Sequence, residues 1–106
     1  MAKILCIGEA LIDMICTDKG TTLQHGNHFL KKAGGAPTNV AAAIAALGGN
    51  VTLAAKVGND PFGLHLKEVL QSFGVNCSHV LTSNDAFTTF AFVSLMENGE
   101  RDFYFN

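Results

Sequence analysis

The 106-residue chain has no tryptophan, one tyrosine and two prolines, and only 15% of its residues are charged. It contains no run of 18 apolar residues, so nothing in it reads as a membrane-spanning helix. Clustered positive charge is also missing. Apart from Lys31-Lys32 the basic residues stand singly, and the formal net charge is −2. Nucleic-acid binding needs a basic footprint and attachment to a membrane surface needs a basic amphipathic helix, so both partners are excluded. Cys6, Cys16 and Cys77 have neither metal-ligand nor redox spacing. An odd, sparse count of this kind fits the reducing cytoplasm. His25 and His28 lie close together but do not match H-E-x-x-H, and no third ligand is evident, so they read as solvated residues. Neither G-x-x-x-x-G-K-[ST] nor a G-x-G-x-x-G after the first strand occurs, which leaves nucleotide binding of those two kinds unsupported. The apolar start Ile4–Ile7 is broken by Glu9 and Asp13 before any small-residue cleavage site, so it is not a signal peptide.

Core material, by contrast, is abundant, with apolar residues at 48%. A chain of this length makes one domain and buries roughly 65% of its extended surface on folding. With so little charge to cover it, the chain reads as a piece of something larger or as one partner in an assembly.

Residues 3–8 form a continuous β-prone run, as expected of a strand buried on both faces of a parallel sheet. Residues 10–15 are a second apolar stretch, with Asp13 inside it. Over 17–33 the composition turns polar, and short β-prone pieces at 21–24 and 27–31 predict a pair of small strands in a solvent-facing flap. Pro37 suits the first turn of a helix whose apolar residues Val40, Ala41, Ile44 and Leu47 recur at helical spacing before Gly48-Gly49. Residues 51–57 read as a strand. Asp60 then caps a second helix with Pro61 at its first position; Phe62, Leu66, Val69, Leu70 and Phe73 form its apolar stripe, and Gly74 ends it. Further β-prone pieces lie at 75–76 and 79–81. Residues 88–96 alternate as a strand, Asn98-Gly99 is the dipeptide of a tight hairpin turn, and 101–105 return as its partner. Strands alternating with helices predict an α/β fold with right-handed crossovers and a parallel sheet.

The residues with most to offer chemically surround Gly34-Gly35-Ala36-Pro37-Thr38-Asn39. Two glycines ahead of a helix bare the backbone to a ligand and leave unpaired N–H groups at the helix start. Asn39 adds both a donor and an acceptor. Such a set suits an uncharged, hydroxyl-rich ligand, although a plain close-packed turn would use the same residues. Asp13, between Ile12 and Met14, would be costly to bury without partners. It either faces water as a cap or meets donors such as sugar hydroxyls. Phe90, Phe92, Phe103, Tyr104 and Phe105 cluster on the final hairpin; most suit packing, and an aromatic face also suits the C–H side of a sugar ring.

Four blocks then carry a resemblance. Gly34-Gly35-Ala36-Pro37-x-Asn39-x-Ala41 with Gly48 and Gly58 resembles the N-terminal signature of ribokinase/PfkB-type carbohydrate kinases. Gly8-Glu9-Ala10-Leu11-Ile12-Asp13 resembles the family's first strand, Val57-Gly58-Asn59-Asp60-Pro61-Phe62-Gly63 its "VGxDxFG" segment, and Gly99-Glu100-Arg101 its "GER" hairpin. The segment 34–39 is more similar to fructokinases than to ribokinases, and kinases of 2-keto-3-deoxygluconate look much the same. The resemblance implies a ribokinase-like α/β fold, seen here as its N-terminal part, with a small β lid from about 17–33 and 88–106. It implies that Asp13, Gly34, Gly35 and Asn39 bind the sugar, with Phe90 and Phe105 closing over it.

It further implies phosphorylation of a sugar hydroxyl, fructose first among the candidates, by ATP with magnesium, and pairing of two copies through the lid. Ribose, 2-keto-3-deoxygluconate or a nucleoside are the alternative substrates. Complete members run to about 300 residues, and their catalytic aspartate sits in a "GAGD" segment of the C-terminal half, where ATP and magnesium also bind mostly. No "GAGD" occurs here. Residues 1–106 alone are therefore expected to be inactive, a sugar-binding fragment at most. An unpaired sheet edge and an uncovered apolar face should make them prone to associate.

Overall fold

The computed structural model describes residues 2–106. Its order is β1 (Lys3–Ile7), β2 (Leu11–Cys16), β3 (Phe29–Gly34), α1 (Ala36–Ala46), β4 (Asn50–Gly58), α2 (Pro61–Ser72), β5 (Asn76–Ser83), β6 (Phe90–Leu95) and β7 (Arg101–Phe105). The strands divide between two sheets. β1-β4-β5 is three-stranded and wholly parallel, whereas β3-β2-β6-β7 is mixed, with β2 and β6 parallel at its centre and an antiparallel strand on either side. This is the expected α/β class.

Both helices start and stop on local signals. Gly35 is the N-cap of α1, with proline in the first turn, and past its C-terminal end Gly48 takes φ +86° while the Gly49 N–H returns to the Ile44 carbonyl at 2.9 Å. That left-handed residue closes the helix without the Cβ clash other residues would meet. Asp60 caps α2, its carboxylate accepting the Gly63 N–H at 2.8 Å. The small side chains of α1 let it lie close on β4, burying Ala41 completely.

The core lies between the helices and the parallel sheet. Alternate residues Val51, Leu53 and Val57 of β4 meet Leu66 and Leu70 of α2, joined by Val75 and Val80. Each fully buried aliphatic side chain is worth about 1.5–3 kcal/mol relative to exposure. Ile12, fully buried, and Met14 extend this cluster into the second sheet, so the two sheets share one core.

Four expectations need correction. The first strand is not buried on both faces: Leu5 is 58% and Ile7 71% exposed, and Leu5 lines an open hollow with Lys3, Ile4, Thr52, Ala54, His79 and Leu81. The chain covers the parallel sheet with helices on one face only. Residues 21–24 are not a strand: a turn at 23–25 is held by the Gly26 N–H to the Thr22 carbonyl. The pieces at 75–76 and 79–81 are one strand, β5, with a register irregularity opposite Thr52–Ala54. Asp13 belongs not to the opening strand but to β2, a central strand of the second sheet. The final hairpin closes on a three-residue loop, with Gly99 at φ +84° and the Met96 N–H bonded to the Glu100 carbonyl.

Candidate functional site

Two glycine-containing crossovers between the sheets meet at one place. The first leaves β1 through Gly8 (φ +149°), whose N–H bonds the Ala54 carbonyl at 3.1 Å, and reaches β2 through Glu9 and Ala10. The second returns from β3 to α1 through Gly34 and Gly35 (φ +99°). They touch: a Cβ on Gly35 would stand 2.7 Å from the Glu9 carbonyl oxygen, and one on Gly8 would stand 2.6 Å from Pro37 Cγ. The Thr38 hydroxyl donates to the Glu9 carbonyl at 3.2 Å and ties the first turn of α1 to the first crossover. Only glycine fits this crossing, by space and by φ.

Asp13 sits directly beside it. Its carboxylate lies over Gly34, so closely that a Cβ there would come 2.6 Å from Asp13 Cγ and overlap an oxygen. The absent side chain is what makes room for the carboxylate. Asp13 is half-buried and makes no hydrogen bond or ion pair among the described residues. Burial pushes its carboxyl above the ordinary 3.8. A partly desolvated carboxylate without donors has unused accepting capacity, and a polyhydroxylated ligand would supply the donors.

The register assigns the other residues to faces. Asp13 is opposite Ala91 across β2–β6, and Ala91 is opposite Phe105 across β6–β7, so Phe105 shares Asp13's face. Phe103 stacks on Phe105 with centroids 6.4 Å apart, and it lines a hollow of about 390 Å³ with Asp13, Ile15, Val93, Leu95 and Arg101. Phe90 is not brought to this group. It is in register with buried Ile12, on the opposite face, and packs edge-on against Phe62 at 4.7 Å. Asn39 is exposed one turn into α1, its N–H bonded to the Gly35 carbonyl, and borders a separate cavity with Lys31, Ala33 and His65. It makes no hydrogen bond to Asp13. The structure thus gathers Asp13, Gly34 and Gly35, sets Phe105 on Asp13's face two strands away, leaves Asn39 beside a separate cavity and turns Phe90 away.

Two cations escaped the sequence reading. Lys32 is directly opposite Asp13 in the antiparallel β2–β3 pair, and Arg101 lines the same hollow. Alternation along β7 was the available signal for Arg101, since 101, 103 and 105 must share a face. Among the described residues no three His, Cys, Asp or Glu side chains are grouped to hold a metal. The described residues therefore offer no carboxylate cluster that would cage magnesium by itself.

Comparison with known proteins agrees with this architecture. Residues 1–106 match the pfkB family of carbohydrate kinases throughout. Fructokinase-2 of Oryza sativa subsp. japonica is 43% identical over 102 residues, which cover 96% of this chain and 30% of that protein. The crystal structure of a fructokinase from Xylella fastidiosa with bound ATP superposes with a TM-score of 0.85 at 43% identity, over 97% of this chain and 32% of that one. A putative ribokinase II from E. coli superposes at 0.94 with 28% identity, over 100% and 34%. The chain spans about a third of the length of the relatives it matches. With matching blocks along its whole length and a ribokinase-like fold, the chain belongs to the pfkB family of carbohydrate kinases.

Proposed function

We propose that the full-length protein is an ATP-dependent kinase that phosphorylates a hydroxyl of fructose, and that residues 1–106 supply part of its sugar site. The observation that carries this reading is the unpaired carboxylate of Asp13 over the glycine crossover. In the proposal Asp13 accepts hydrogen bonds from two sugar hydroxyls and so fixes the ring's orientation. The bare backbone at Gly34-Gly35 lets the ring approach, and Asn39 contributes at the margin. Phe105, supported by Phe103, offers an apolar face to the C–H side of the ring. The sheet β3-β2-β6-β7 acts as a lid that excludes water from the reacting hydroxyl. The similarity of name among relatives, fructokinases in rice and Xylella fastidiosa, supports fructose over ribose, 2-keto-3-deoxygluconate or a nucleoside.

In this reading the phosphoryl donor is ATP with magnesium, bound mainly by the C-terminal half of the full-length protein, which also supplies the catalytic base. A homodimer through the lid and a cytoplasmic site of action belong to the same reading.

A coupled ATP-consumption assay on the full-length protein tests this, with fructose, ribose, 2-keto-3-deoxygluconate and adenosine as acceptors. Saturable turnover highest with fructose is expected; turnover with none of them would overturn the kinase reading. One observation favours a second reading for residues 1–106 by themselves. They hold sugar-side groups but no "GAGD" segment, so the isolated piece is a binding fragment that consumes no ATP.

A further inference from the structure

Three segments carry the chain between the two sheets, and they are built differently. The crossovers at Gly8–Ala10 and Gly34–Gly35 turn on glycines at positive φ and carry few bonds of their own. The third, from Ser83 at the end of β5 to Phe90 at the start of β6, has no glycine and is heavily bonded. Ser83 Oγ accepts the N–H groups of Asp85 and Ala86 at 3.1 and 3.2 Å. Asn59 holds the same strap twice, its N–H on the Ser83 carbonyl at 2.8 Å and its Nδ2 on Asn84 Oδ1 at 2.8 Å.

The strap ends on Asp60. Oδ1 accepts the Gly63 N–H at 2.8 Å and the Thr88 hydroxyl at 2.7 Å, and Oδ2 accepts the Thr88 N–H at 2.9 Å. Thr88, only 1% exposed, passes the connection on, since its Oγ1 accepts the Gly58 N–H at 3.0 Å at the end of β4. One carboxylate therefore bonds the parallel-sheet side, through α2, and the strap leading to the second sheet. Burial alone would raise its pKa, but the Thr88 and Gly63 amides and the Thr88 hydroxyl outweigh that and lower it. Space is tight around it: a Cβ on Gly58 would sit 2.5 Å from the Thr88 nitrogen, and a Cβ on Gly63 would overlap the Gly58 carbonyl oxygen. The next residues lead to the candidate site. The Thr89 carbonyl accepts the Ile12 N–H at 2.9 Å, and Ile12 precedes Asp13.

We infer that Asp60, acting through Thr88, is a positioning residue that fixes the pivot of the second sheet and thereby sets where Asp13 stands over Gly34. The sheet bends at the two glycine crossovers and is held at the Asp60–Thr88 strap. This inference rests on the proposed sugar site, and a readout independent of turnover separates the two.

The test compares Thr88→Val, which keeps the shape and removes the hydroxyl, with Thr88→Ser, which keeps the hydroxyl, in the full-length protein. Thr88→Val should raise KM for fructose about tenfold or more with kcat changed less than about threefold, as expected when positioning for binding is lost, and Thr88→Ser should stay within about twofold of wild type. Thr88→Ala replaces Thr88→Val if the latter does not fold, with the same rise expected. Unchanged KM in a folded Thr88→Val or Thr88→Ala protein, or a Thr88→Ser protein as impaired as either, would overturn the inference. Hydrogen exchange reads the pivot without catalysis: the amides of Ile12 and Phe90 should exchange faster in Thr88→Val while those of Leu53 and Leu66 keep wild-type protection. Equal acceleration at all four, or none at Ile12, would also overturn it, whatever sugar the enzyme uses.

Discussion

Asp60 and Asp13 are the same side chain in two opposite settings. Around Asp60 every nearby donor has been recruited: two backbone amides and a hydroxyl converge on one carboxylate, and its pKa falls. Around Asp13 no donor among the described residues bonds it, and burial raises its pKa. A carboxylate satisfied by its own chain stabilises the fold. One left half-buried without a partner from its own chain costs stability, and in the proposed function a sugar supplies the missing donors. Glycines make room at both corners: Gly58 for the Asp60 carboxylate and the Thr88 amide, Gly63 for the Gly58 carbonyl, and Gly34 for the Asp13 carboxylate.

The comparison breaks most visibly in activity. Asp13→Ala should reduce kcat/KM for fructose by roughly 10²–10³, because a sugar hydroxyl would lose a charged acceptor in a partly dry site. Steady-state kinetics on the full-length protein checks it, and a loss below about fivefold would remove Asp13 from the site. Next in size is stability at the other corner. Asp60→Ala removes a helix cap and strands the Thr88 amide, so thermal or urea unfolding should show a loss of about 2–3 kcal/mol.

The smallest effects concern pH, where the two carboxylates should differ in sign. Asp60 has a lowered folded pKa, so its stabilisation is present above the ordinary value of 3.8 and lost as pH falls through the lower folded value. Asp13 has a raised folded pKa, so its cost is present at neutral pH and relieved as pH falls through that raised value toward 3.8. Asp13→Asn should therefore be as stable as wild type at neutral pH or more so, by about 0.5 kcal/mol or less, with the difference vanishing on acidification. Urea unfolding between pH 7 and pH 3 would show it.

Much of this fold was legible because its signals are local. Asp60-Pro61 and Gly74 bracket α2, and Pro37 and Gly48 bracket α1, through capping geometry that spans four or five residues. The glycine turn and Asp13 were legible as candidates for the same reason, and the family blocks placed them in one site. What the sequence left open depends on pairing between distant segments. Nothing within residues 10–16 says that β2 leaves the parallel sheet and becomes the centre of another. The face on which Phe90 lies follows only from its register with Ile12, and a shift of one residue would have turned it toward Asp13. The exposure of β1 was illegible for another reason: its apolar pattern suits a sheet covered on both faces, and this chain covers one.

The most direct test sets the two corners side by side. Fructose binding by calorimetry and thermal unfolding are measured on full-length Asp13→Asn and Asp60→Asn. The account predicts that Asp13→Asn loses sugar affinity while keeping its melting temperature, and that Asp60→Asn melts well below wild type. An Asp13→Asn protein that binds fructose as wild type does, yet melts lower, would show that Asp13 serves the fold rather than a ligand and would contradict the account.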